Sequence, residues 1–103
     1  MERTRFDIEA LDEEDPFEID NQLAHLYKHK GMDVVDVYEV WTDNPAFYPG
    51  RDDGPADWLM VGEVTGAILL VPLAPSDTAN KARPIGVYQA GHELDRQYRD
   101  DSR

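Results

Sequence analysis

The residues of this sequence most readily read as chemistry are two histidines four positions apart, His25 and His29. At about 100° per residue they fall on one side of a helix. That side lies well away from the apolar positions Ile19, Leu23, Leu26 and Tyr27. A histidine satisfied inside a core is therefore a poor account of either. Such a pair suits a place on a functional surface. On a solvated helix face the same pair needs no function at all. The spacing also suits a two-histidine metal site, but Leu26 occupies the glutamate position of His-Glu-x-x-His and no third ligand is evident. No metal site is expected.

Two helices must position these groups. Ile19, Leu23, Leu26 and Tyr27 repeat at the spacing of a buried helical stripe. Gly31 follows where a helix ends on a residue tolerant of positive φ. Asp33 is placed to cap a second helix, with Asp36 three residues on. Val34, Val37, Tyr38 and Trp41 form the second stripe, and Asn44-Pro45 stops it. The spacing predicts a helix hairpin.

Strand signals surround the hairpin. Residues 16–19 fit an edge strand before it, and 46–48 a short strand after it. Trp58 to Val64 reads as a strand of mixed facing, Thr65-Gly66 as a tight turn, and 67–71 as a strand covered on both faces. Pro72 and Pro75 are expected to limit pairing there. A polar connection over 74–82 leads to a fourth strand at 84–88. A terminal helix over 91–99 turns Leu94 and Tyr98 inward, and Trp41 and Trp58 are expected in the core. The order predicts an α+β domain: a meandering antiparallel sheet of about four strands, an N-terminal helix hairpin and a C-terminal helix.

With 103 residues and 41% apolar composition the chain supports one modest core, assigned to residues 16–103. Residues 1–15 hold seven acids and two arginines, the composition of an acidic extension, disordered when alone or a partner-binding arm. There is no cysteine, no membrane-length apolar run and no secretory signal pattern, so a cytoplasmic location without membrane contact is expected. The 22 acidic residues against ten basic give a net charge of −12. Such a field repels nucleic acid at long range and favours a basic partner, solubility or life at high salt.

Several motifs, taken in order, resemble one family. Phe17-Glu18-Ile19-Asp20 is followed by His25-Leu26-Tyr27-Lys28-His29, then Gly31 and the acidic run Asp36-Val37-Tyr38-Glu39-Val40. Later come Arg83-Pro84-Ile85-Gly86-Val87-Tyr88-Gln89-Ala90 and a closing segment from Glu93 to Tyr98. Together, over residues 17–99, they resemble the BrnT-type toxins, whose fold is similar to that of RelE-type ribonucleases. The sequence departs from the family pattern at Lys30, which separates His29 from Gly31, and at Tyr88, where a second arginine is usual. The resemblance implies the toxin of a type II toxin–antitoxin pair, cleaving RNA without metal or cofactor and neutralised by a cognate antitoxin. Carried over residue by residue, it makes His29 the acid–base group, with Arg83 and Lys28 stabilising the phosphorane. His25 becomes a second proton-transfer group and Tyr88 a hydrogen-bond donor. The alternative is a catalytically degenerate domain of the same fold, offering its acidic surface to a basic protein partner.

Overall fold

In the computed structural model, residues 4–19 and 34–102 are described. Among these, five strands form one antiparallel sheet: β1 (Ala46–Pro49), β2 (Trp58–Val64), β3 (Ala67–Pro75), β4 (Ala82–Pro84) and β5 (Tyr88–Gln89). The first four are neighbours in chain order, and β5 pairs with β3 beyond β4. Among the described residues two α-helices accompany them, α1 (Val34–Thr42) and α2 (His92–Asp101). The expected α+β class, antiparallel sheet and C-terminal helix are present. The helix expected after Asp33 is present as α1; the helix expected before it, and with it the hairpin, lies on residues outside those described.

The centre of the sheet is the β2–β3 hairpin, in which Val64 pairs with Ala67 across Thr65-Gly66. Both turn residues have positive φ, 48° and 85°, the backbone that matches the natural twist of a two-residue hairpin. β3 is longer than expected, because it continues through Pro72 to Pro75. The reason lies in which way the missing donor points. Ile85 N donates to Pro72 O and Ala90 N to Ile68 O, so even-numbered groups of β3 face the β4–β5 side. Pro72 therefore lacks its N–H where that side has no ladder: β4 pairs with residues 73–75 of β3 and β5 with 69–70. The expected single strand over 84–88 is thus two short strands, broken opposite Pro72. At the N-terminal end, 16–19 contributes only an isolated parallel bridge, Phe17 to Ala82, instead of an edge strand.

Alternation divides the sheet into two faces. Phe47, Met60, Val64, Leu69, Val71, Leu73 and Ala82 belong to one core cluster with Val37 and Val40 of α1. The helix crosses β2 at Gly62, where an added Cβ would lie 3.1 Å from Val40 Cγ1. Val40 is fully buried and completes the stripe of α1, while Val34, Tyr38 and Trp41 pack at its margin. Both tryptophans pack against this core from its edge, with each indole N–H on a backbone carbonyl of the N-terminal arm. Trp41 Nε1 donates to Glu13 O at 3.3 Å and Trp58 Nε1 to Phe6 O at 2.9 Å.

The sequence gives residues 4–15 no apolar periodicity, yet they lie against the domain through such contacts. Arg5 donates to the carbonyls of Asp57 and Gly50 and pairs with Asp52 at 2.9 Å. Asp57, 3% exposed, accepts from Phe6 N at 3.0 Å. A 3₁₀ turn, Ile8–Ala10, then brings Leu11 into the core. Lys81 holds the end of the arm by pairing with Asp15 at 3.0 Å.

Candidate functional site

Of the residues singled out from the sequence, His25, Lys28 and His29 lie outside the described residues. Arg83 and Tyr88 are described, on β4 and β5. Arg83 sits opposite Ala74 and Tyr88 opposite Leu70. Both partners are even-numbered residues of β3, so Arg83 and Tyr88 project from the same face of the sheet, away from α1. Four residues of strand separate them, or about 13 Å at the usual rise.

Arg83 is exposed between the buried Ala82 and Pro84. Its guanidinium makes no hydrogen bond or ion pair with another described residue. Arg5, Arg51, Lys81 and Arg99 are all engaged by carboxylates; among the described cations, only Arg96 shares the condition of Arg83. An arginine held on a strand without a carboxylate keeps its planar donor fork available to a phosphate. Tyr88 is 39% exposed and folds down along its own strand. A Cβ on Gly86 would meet the Tyr88 ring at 2.5 Å and its hydroxyl at 2.6 Å. The glycine makes room for the ring, which fixes where the phenol hydroxyl sits.

The same face carries a second polar group that the sequence did not reveal. An open cleft of about 850 Å³ is lined by Asp43, Ala46, Glu63, Tyr98, Arg99 and Asp101. Tyr48 of β1 donates to Asp101 of α2 at 2.8 Å. Burial foremost, and then the Asp101 carboxylate, push the Tyr48 phenol up to about 12. It therefore stays protonated and acts as a donor, not as a base. Arg99 bonds Asp95 at 2.6 Å, one helical turn away, and approaches Glu63 at 3.9 Å. The bond to Asp95, more than the nearby charges, raises the Arg99 pKa. With Arg99 so engaged, the described lining of the cleft presents net negative charge. Tyr48 and Asp101 are 53 residues apart, and no local pattern announces a pair at that separation.

A third set of groups explains the hold on the arm. Lys81 and Tyr38 both bond the Asp15 carboxylate, Lys81 more strongly, and keep its pKa below the ordinary value. Burial, and next the bond to Asp15, raise Tyr38. These contacts fasten the segment. Among the described residues, no group of three or more histidine, cysteine or acidic side chains is placed to hold a metal ion. No helix among them is long and apolar enough to cross a membrane. Compared with protein-family models, with curated proteins and with solved structures, the chain matches none.

Proposed function

We propose that this chain is a BrnT-like toxin, a metal-independent endoribonuclease held in check by a cognate antitoxin. One observation supports the reading most: Arg83 stands exposed on the sheet, free of described carboxylates, at the position where the family motif has its strand arginine. Cleavage at a ribose 2′-hydroxyl requires a base, an acid and positive charge beside the phosphorane. Arg83 and Lys28 supply the charge in this reading. His29 moves the proton, His25 is the second group able to do so, and Tyr88 donates a hydrogen bond. Growth on induction tests the proposal. The wild type should arrest growth, and Arg83→Ala and His29→Ala should each relieve the arrest while the protein stays folded. Toxicity indifferent to both changes rules the reading out.

A second reading draws on the acidic cleft. Asp43, Glu63 and Asp101 line it, its arginine is already paired, and the whole chain carries −12. In this reading the domain keeps the fold without the catalysis and binds a basic protein. A harmless wild type that co-purifies with a basic partner at low salt favours it.

A further inference from the structure

A groove on the other side of the molecule combines features that neither reading uses. Its lining comes from three elements: Ile8, Glu9, Leu11 and Glu13 from the N-terminal arm, Trp41 from the end of α1, and Phe47 from β1. Leu11 is buried and forms the floor. Ile8, Trp41 and Phe47 are only partly covered and form the walls. The two rings meet edge to face, 6.2 Å between centroids. Because Trp41 spends its indole N–H on Glu13 O, what it offers to the groove is apolar ring surface. The rim is acidic. Neither the Glu9 nor the Glu13 carboxylate has a described cation partner, and Asp7, Asp12 and Glu14 stand exposed beside them.

We infer that this groove binds a basic amphipathic segment of a partner protein, with an apolar anchor between Trp41 and Phe47 and flanking Lys or Arg over Glu9 and Glu13. Charge complementarity selects the occupant. Nucleic acid and anionic lipid are repelled by such a rim. A second copy of the chain would bring a further −12 to the same place. A segment with apolar residues on one side and cations on the other satisfies walls and rim together, the usual helix-in-groove arrangement. The inference depends neither on Arg83 nor on the cleft beside α2.

The test titrates the full chain with a short helical peptide of Leu and Phe on one face and Lys and Arg on the other. Two control peptides accompany it, one with Glu for the cations and one with Ser for the apolar anchor. Binding is followed by calorimetry and by tryptophan fluorescence. The basic amphipathic peptide should bind and both controls should fail. Glu9→Lys with Glu13→Lys should weaken binding about tenfold, chiefly through association rate, and Ile8→Ser should weaken it independently. Asp77→Lys with Glu93→Lys makes the same change in net charge at exposed positions off the groove, and should stay within about twofold of wild type. Equal weakening by the two charge-reversed pairs reduces the effect to overall charge and overturns the inference. So does tight binding of the anchorless peptide, failure of every peptide to bind, or self-association that fills the groove.

Discussion

The two faces of the sheet are made by alternate residues of the same strands, and they are put to different uses. Towards α1 the side chains of Met60, Val64, Leu69, Val71 and Leu73 close on Val37 and Val40, and the contact is apolar throughout. On the reverse, Val61 and Ile68 are buried just as deeply, but the surroundings are polar. Tyr48 reaches Asp101, Arg99 reaches Glu63, and Arg83 and Tyr88 stand at the far strands. Hydrophobic burial is non-directional and scales with area, so the first face fixes the fold. Directed donors and charges gather on the second.

The faces should respond differently to substitution. Leu73→Ala empties a fully buried site on the α1 face and should cost about 2–5 kcal/mol in denaturant unfolding. A much smaller loss would mean that this face is not the main core. Gly62→Leu tests how closely α1 is seated. Its side chain must displace Val40, at a cost of about 1–3 kcal/mol from overpacking; a neutral result would show that the helix lifts freely. On the reverse face the expected effects are smaller and depend on pH. The raised Tyr48 pKa means that its bond to Asp101 contributes fully below the ordinary phenol value of about 10. The contribution is then lost as pH rises towards about 12. Tyr48→Phe should therefore remove a fall in stability confined to that alkaline window, seen as the difference between the two unfolding curves. Smallest of all, Arg83→Ala should leave stability within about 0.5 kcal/mol of wild type, as for a surface side chain without partners.

What the sequence made legible follows the same division. The β2 strand, the Thr65-Gly66 turn, α1 and the terminal helix were readable because each rests on a local period or a local turn residue. The passage of β3 through Pro72 was not. Whether a proline interrupts a ladder depends on which side its nitrogen faces, and that is a property of the partner strands. The place of Val40 in the α1 stripe escaped for a related reason, since it is seated by the absence of a side chain at Gly62, on another element. The hold on the arm was hidden too: Arg5 spans 45 to 52 residues to reach Gly50 and Asp57. Of the site, a late strand near Arg83 and Tyr88 was legible, but not its division into β4 and β5. The Tyr48–Asp101 pair was not, because each is an ordinary surface residue until the fold brings them together.

Purified protein, assayed alone on single-stranded RNA with excess chelator, tests the central claim most directly. The claim is that the polar face carries ribonuclease chemistry through Arg83 while the apolar face carries stability. Wild type should cleave, and Arg83→Ala should cleave about a hundred- to thousand-fold more slowly, with an unchanged melting temperature. No cleavage by the wild type, or equal cleavage by both proteins, would contradict it.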